Sequence, residues 1–262
     1  MPAETIWNPR PLYLSPSYRR ATIARTHLLL SRVRYVVAES EADAYRQQTG
    51  SEPMVVPDSV QGNVARVRNW VLDNVGHPYV VMLDDDFLQL FRYVQNERRN
   101  MEEAEFYEFV DRAFLLAKEL GCRLWGINPT PDKMCYREYT PLSFTQFIGG
   151  PLSGHLLEDN PIRYDERIPL KEDYDLTLQH LNRYRRVLRF NGVFYRVDQH
   201  KAPGGCAAAR TFAREIEQFR LLQEKWGSRI VRMDPGICPN SSRVKRGTYD
   251  LNPILRAPIK GI

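Results

Sequence analysis

The chain has 262 residues, 43% of them hydrophobic, and 37 Lys and Arg against 32 Asp and Glu. That is enough apolar material for a substantial core, so that with a net charge of only +5 no disordered class is needed. The pI near 9.0 suits an anionic partner, and no apolar run approaches the ~20 residues needed to span a bilayer.

The first residues, Met1-Pro2-Ala3-Glu4-Thr5, carry neither a basic nor an apolar leader segment, so the expectation is a soluble, cytoplasmic protein without membrane contact. Cys122, Cys135, Cys206 and Cys238 show no C-x-x-C pairing, which favours reduced core thiols over a zinc site. In chain order, Pro11–Ser15 reads as a strand, Ala21–Leu30 offers a helical face, and Arg34–Glu39 is a second strand ending in an acid. Glu41–Gln48 reads as a helix closed by Gly50. Pro53–Pro57 is extended, and Val60, Val64, Val67 and Val71 form one apolar helical stripe that leads to the next strand. Met101–Leu120 is the longest predicted helix, ended by Gly121, and Cys122–Ile127 returns as a strand. Residues 128–141 form a polar, proline-punctuated loop, whereas Phe144–Leu157 has strand composition broken by Gly149-Gly150 and Gly154. A short helix over Leu176–Leu181 follows, then a hairpin turning at Asn191-Gly192 between Val187–Phe190 and Val193–Val197. Ala207–Trp226 is an amphipathic helix, Arg229–Arg232 a last strand, and residues 240–262 a basic tail. No repeats or linkers interrupt the chain, so one domain over 1–262 is expected, α/β in class with a mostly parallel central sheet flanked by helices.

Two acidic groups carry the chemistry. Tyr79-Val80-Val81-Met82-Leu83 reads as a strand buried on both faces, and it runs straight into Asp84-Asp85-Asp86. Three adjacent carboxylates repel one another unless a cation or donors offset them. The end of such a strand is where an open α/β sheet binds ligands. The competing reading makes Asp86 the cap of a helix starting at Phe87-Leu88-Gln89-Leu90, with Asp84 and Asp85 solvated. The second group, Glu172-Asp173-Tyr174-Asp175, opens the helix after Lys171, where acids are also ordinary capping chemistry and Lys171 could simply pair with Glu172. Asp198-Gln199-His200, at the end of the last hairpin strand, precedes Gly204-Gly205.

Taken together, Arg68-Asn69 before the Asp-rich strand end, Phe147-Ile148-Gly149-Gly150, Lys171-Glu172-Asp173-Tyr174-Asp175 and Asp198-Gln199-His200-Lys201 with Gly204-Gly205 resemble GT-A glycosyltransferases. They are most similar to the TET-associated glycosyltransferases of bacteriophages. The resemblance implies a GT-A, Rossmann-like fold with a small antiparallel second sheet. Residues 1–90 would be its nucleotide-binding half and 121–235 its acceptor half. It also implies a divalent cation, Mn or Mg, held by Asp86, Asp84 and His200, with the pair among Asp84, Asp85 and Asp86 left open. UDP-sugar contacts fall to Ser15, Glu39, Arg68, Asp84, Asp85, Gly149 and Gly150, and Asp173 becomes the general base with Glu172 beside it. The implied reaction is an inverting transfer of a sugar to the hydroxyl of a hydroxymethylated pyrimidine, 5-hydroxymethylcytosine, in phage DNA, in association with a TET-like oxygenase.

The residues add only consistency for DNA: Arg98-Arg99, Arg183-Tyr184-Arg185-Arg186 and the basic tail could track phosphates, and Tyr136, Tyr139 and Phe144 could stack on a flipped base. The alternatives are a GT-A enzyme acting on a protein or glycan, a DNA-binding module that keeps the fold without chemistry, and a nucleotidyltransferase. The last would carry a Gly-rich first loop, and Ser15-Pro16-Ser17-Tyr18-Arg19-Arg20 has no glycine. The glycosyltransferase reading requires Asp86 and Asp173 to share one cleft.

Overall fold

A computed structural model describes residues 9–130, 136–197, 210–234 and 251–259. Along the chain it places β1 (Leu12–Pro16), α1 (Thr26–Leu29), β2 (Val33–Ala38), α2 (Ala42–Thr49), β3 (Met54–Val56), α3 (Val64–Asn74), β4 (Tyr79–Leu83), β5 (Phe87–Val94) and β6 (Glu97–Asn100). There follow α4 (Glu103–Glu119), β7 (Leu124–Asn128), β8 (Leu142–Ser143), β9 (Leu152–Leu156), α5 (Glu172–Tyr184), β10 (Leu188–Val197), α6 (Phe212–Trp226), β11 (Val231–Arg232) and β12 (Ile254–Leu255). The large sheet runs β3-β2-β1-β4-β9-β7-β10-β5-β6, with β8 on β10, while β11 and β12 form a small antiparallel pair. Strands β3, β2, β1 and β4 are parallel, and β9 then enters antiparallel to both β4 and β7.

Every residue of β4 is buried, as an apolar run between two helical layers must be. Val81 and Leu83 pack with Phe106, Val110 and Phe114 of α4, whereas Val80 and Met82 pack with Val67 and Val71 of α3. Beside this core, Gly154 lies under Trp125. A Cβ at Gly154 would come within 2.0 Å of the indole, so only glycine lets β9 and the ring coexist. The C-terminal ends of β1, β2, β4 and β7 all point to one edge of the sheet, and β10, parallel to β7, ends there too.

Four sequence expectations give way to tertiary contacts. The helical face over Ala21–Leu30 shrinks to Thr26–Leu29, because the Arg25 and Thr26 N–H groups donate to the Asp85 carbonyl instead of to a preceding turn. Residues 87–90 form strand β5, not a helix capped by Asp86, since they pair antiparallel with β10. Nor does a hairpin turn at Asn191-Gly192. Neither residue has positive φ, which a two-residue hairpin turn demands, and β10 continues through them, pairing with β7 at Leu188–Phe190 and, past a shift in register, again at Phe194, and with β5 from Val193. The Asn191 amide donates to the Thr140 carbonyl at 2.8 Å and to Ser143 Oγ at 2.7 Å, which holds the strand where its register against β7 shifts. Finally, the helix expected over Leu176–Leu181 extends from Glu172 to Tyr184, so both catalytic candidates lie in its first turn.

Candidate active site

The two acidic groups meet on one side chain. Asn63 caps α3, its carboxamide oxygen accepting from the Ala65 and Arg66 N–H groups, and the helix delivers Arg68 beneath the end of β4. Arg68 is only 3% exposed. Its guanidinium donates to Asp84 at 3.3 Å, to Glu172 at 2.9 Å and to the Gly150 carbonyl at 3.2 Å, and it lies over the Tyr164 ring. The Gly150 N–H in turn donates to Asp173 Oδ2 at 2.9 Å. Sheet edge, glycine loop and helix α5 are therefore joined through one cation, and the separation of Asp84 and Glu172 in sequence becomes adjacency in space. A Cβ at Gly150 would stand 3.3 Å from both the Arg68 and Asp173 side chains, so the glycine is where backbone itself joins the network.

The three aspartates have different surroundings. Asp85 faces inward, 3% exposed, paired with Arg20 at 2.8 Å and accepting from Ser17 Oγ, whose hydroxyl also meets Tyr45 at 2.6 Å. Asp86 lies 3.4 Å from the same Arg20 guanidinium. Asp84 is the most open of the three, with about a third of its side chain in solvent. Thr26 locks their backbone: its hydroxyl donates to the Asp84 carbonyl at 2.7 Å and accepts from the Phe87 N–H at 3.1 Å. Burial raises the Asp84 carboxyl, moderated by its solvent-facing third, with Asp86, Asp85 and Asp173 reinforcing the rise against Arg68. Burial likewise carries Asp85 up to about 6 against Arg20 and Ser17. Among the described residues, Arg20 pairs with Asp85 and Asp86, and Arg68 with Asp84.

On the other wall, burial and the neighbouring Asp173 raise Glu172 against the pull of Arg68. Asp173 is raised by burial and held down in part by the Gly150 N–H. Lys171 makes its ion pair elsewhere, although its charge helps to hold Asp173 down. It is buried and reaches Glu215 of α6, which is fully enclosed, so the helix-cap ion pair between Lys171 and Glu172 that the sequence allowed is absent. Between the walls stands Tyr195 of β10. Burial and the fields of Asp84, Asp173 and Asp86 keep its hydroxyl neutral, and a Cβ at Gly149 would lie 3.4 Å from it.

Of the remaining sequence candidates, Ser15 is fully buried at the end of β1 with an unpartnered hydroxyl, while Glu39 is exposed in a turn after β2. His200 lies outside the described residues, as do Gly204-Gly205 and most of the basic tail. Tyr136 is not available to stack on a base: it is buried on Tyr93, ring centroids 4.6 Å apart, and packs against Gly192, whereas Tyr139 is 82% exposed. The sequence reading missed Ser17, Arg20, Thr26 and Tyr195; Ser17 and Arg20 stand in the loop after β1, where the strand end should have drawn attention to them. Among the described residues no group of three His, Cys, Asp or Glu is placed to hold a metal, and no helix is long and apolar enough to cross a membrane.

Similar folds are found in solved structures of low sequence identity. A mannosyltransferase from Pyrobaculum calidifontis, solved with GDP-Man and Mn2+, matches with a TM-score of 0.53 at 13% identity, over 82% of this chain and 64% of that one. Glucosyl-3-phosphoglycerate synthase from Mycobacterium tuberculosis, solved with Mn2+, UDP-glucose and glycerol 3-phosphate, matches with 0.51 at 13% identity, over 86% and 84%. Residues 1–349 of S. aureus TarS align with a TM-score of 0.47 at 14% identity, over 82% of this chain and 65% of that one. The chain thus spans less than two thirds of TarS and of the mannosyltransferase. No curated protein sequence matches it. The fold is that of GT-A glycosyltransferases. The family model for TET-associated glycosyltransferases matches residues 15–205, and the chain belongs to that family.

Proposed function

We propose that this chain transfers a sugar from a UDP-sugar to the hydroxyl of a hydroxymethylated pyrimidine in DNA, 5-hydroxymethylcytosine first among them, with inversion and with the help of a divalent cation. The observation that carries the reading is the Arg68 bridge, which holds the Asp84 and Glu172 carboxylates on one guanidinium and, through Gly150, places Asp173 beside them.

The donor set suits a hard cation. Asp84 and Asp86 offer carboxylate oxygens at the end of β4, Asp85 is already committed to Arg20 and Ser17, and Mg2+ or Mn2+ completes its shell with phosphate oxygens and water. Asp84 and Asp86, with His200 as a further ligand, would hold the ion. When bound, it would offset charge on the departing diphosphate. Asp173 would take the proton of the acceptor hydroxyl, its carboxylate oriented by the Gly150 and Tyr174 N–H groups, and Glu172 would share the Arg68 charge. A base that works opposite a leaving diphosphate needs its own wall of the cleft, and α5 supplies one. Ser15, Glu39, Arg68, Gly149 and Gly150 would border the donor, with residues 1–90 as its half of a single domain and 121–235 as the acceptor half.

DNA as acceptor is supported by the family's association with TET-type oxygenases, whose products carry the required hydroxyl, and by exposed Arg98 and Arg99 on the edge strand β6. Arg185 and Arg186 contribute less, because they reach the Pro258 and Leu120 carbonyls. The decisive experiment incubates the chain with UDP-sugars, manganese and hydroxymethylcytosine-containing DNA and looks for a hexose mass gain in the digested nucleosides. No gain there, together with transfer to a protein or glycan, would establish the alternative acceptor.

A further inference from the structure

Lysine is an unusual residue for the place that Lys171 occupies. It is the N-cap of α5, and its side chain makes no capping hydrogen bond. The amide end of a helix carries partial positive charge, which favours Ser, Thr, Asp or Asn there and disfavours a cation. The side chain is also only 2% exposed, and a buried charge is costly unless a counter-charge meets it. Two unfavourable choices at one position, directly before Glu172 and Asp173, point to a use for the charge.

The counter-charge comes from α6. Lys171 Nζ lies 2.5 Å from Oε2 of the fully enclosed Glu215, and the same oxygen accepts from the Leu251 N–H at 3.2 Å. Arg210 stands 3.0 Å from Glu215 Oε1, so Glu215 keeps a cation beside it even where Lys171 is replaced. Gln218 holds the backbone that leads into Lys171: its amide donates to the Arg167 carbonyl at 3.1 Å, and its oxygen accepts from the Leu170 N–H at 3.5 Å. Nζ also lies over the Tyr174 ring, 5.9 Å from its centroid, and the Tyr174 hydroxyl donates to Asn252 at 3.2 Å. The ammonium is therefore fixed by α6 and residues 251–252, not by its own helix.

The group it can serve is Asp173. One oxygen of that carboxylate accepts from the Gly150 N–H and the other from the Tyr174 N–H. The charges around it come from several elements: Glu172 on α5, Arg68 on α3, Asp84 at the end of β4 and Lys171, with the Tyr164 and Tyr195 hydroxyls nearby. Arg68 is divided between Glu172 and Asp84. Lys171 supplies the second cation that offsets the burial of Asp173, and the negative charge of Glu215 is met in turn by Arg210 and the Leu251 N–H.

We propose that Lys171 is a positioning residue for the base: anchored on Glu215, its ammonium keeps the Asp173 carboxylate ionised and ready to take the acceptor proton. This inference rests on the reading of Asp173 as the base, and it adds α6 and the 251–252 segment to the elements on which transfer depends.

The test is the pH profile of kcat for the UDP-sugar and acceptor that the wild-type chain uses fastest, with manganese and donor saturating at each pH, repeated for Lys171→Met and Lys171→Arg. A base works only when ionised, and losing a nearby cation makes ionisation harder. The acid limb of Lys171→Met should therefore move up by about 0.5–1 pH unit, a loss of about three- to tenfold on the acid side that recovers as pH rises. Donor KM and UDP affinity should stay at wild-type values, which also shows that the variant is folded. Lys171→Arg keeps the charge and should keep the wild-type limb, whatever it loses in Tm. Should Lys171→Met fail to fold, Lys171→Met/Glu215→Leu, which removes the buried pair together, should fold and show the same shift. An unmoved limb in a folded variant without the charge, an equal loss at every pH, or one and the same shift in Lys171→Met and Lys171→Arg overturns the inference alone, provided Asp173→Asn abolishes transfer. Should Asp173→Asn transfer at the wild-type rate, the reading of the base falls and this inference with it.

Discussion

Replacing Arg68 by methionine removes the charge at the junction of the two acidic groups while keeping much of the side-chain volume. Arg68 is 3% exposed and is bonded to Glu172 at 2.9 Å and Asp84 at 3.3 Å, and breaking a buried ion pair by deleting one partner costs ~3–5 kcal/mol. The carboxylates have an escape, because Glu172 is already pushed up to about 7 by burial and Asp173 while Arg68 is present. The sign follows from linkage. A carboxyl whose folded-state pKa lies above its unfolded value contributes stability below the unfolded pKa and loses it as pH rises through the folded one. Without Arg68 the folded pKa rises further, so the variant carries a neutral Glu172 in mild acid and must hold a costly proton, or a costly charge, in mild base. Each pH unit above the wild-type value adds about 1.4 kcal/mol. The expected deficit is therefore about 1–2 kcal/mol at about pH 6, from lost hydrogen bonds, and about 3–5 kcal/mol at about pH 8.5. At ~2–4 °C per kcal/mol for a chain of this size, Tm should fall by roughly 2–8 °C in acid and roughly 6–20 °C in base. Thermal melts across that range decide the matter. A Tm drop of the same size at both ends would show that Arg68 fills space and does not balance the two carboxylates.

The other predictions concern chemistry and packing. Asp173→Asn keeps an acceptor for the Gly150 N–H and should bind UDP as the wild-type chain does, while losing transfer by about 10²–10⁴-fold; transfer near the wild-type rate removes Asp173 from the role of base. Because the Asp84 carboxyl is raised, protons compete with the cation, and manganese affinity measured by titration should fall from about pH 8 to about pH 5.5; a flat profile contradicts the assignment of Asp84 to the ion. Gly154→Ala drives a methyl group to within 2.0 Å of the Trp125 indole and should cost about 3 kcal/mol or more in a chemical denaturation experiment; a stable variant would mean that β9 and Trp125 can move apart.

Much of the molecule was legible because local chemistry and tertiary demand agree. The apolar run Tyr79–Leu83 could be nothing but a strand covered on both faces, and Gly50, at φ 66°, ends α2 where the sequence placed the stop. The misreadings share a cause, competition from distant partners. Asn191-Gly192 has hairpin composition, but Thr140, Ser143 and the neighbouring strands hold it extended. Tyr136 looked like a free stacking ring until Tyr93 covered it.

By itself, then, the sequence determined the kinds of element, the edge of the sheet where the acids gather and the identity of those acids, since hydrophobic period and carboxylate spacing are local properties. Tertiary structure decided which charges answer which. Arg20 and Arg68, remote from the aspartates in the chain, divide Asp85 from Asp84 in role, and Lys171 turns away from its neighbour Glu172 to a buried Glu215. Coulomb energies depend on distance and burial, and neither is fixed until the chain has folded.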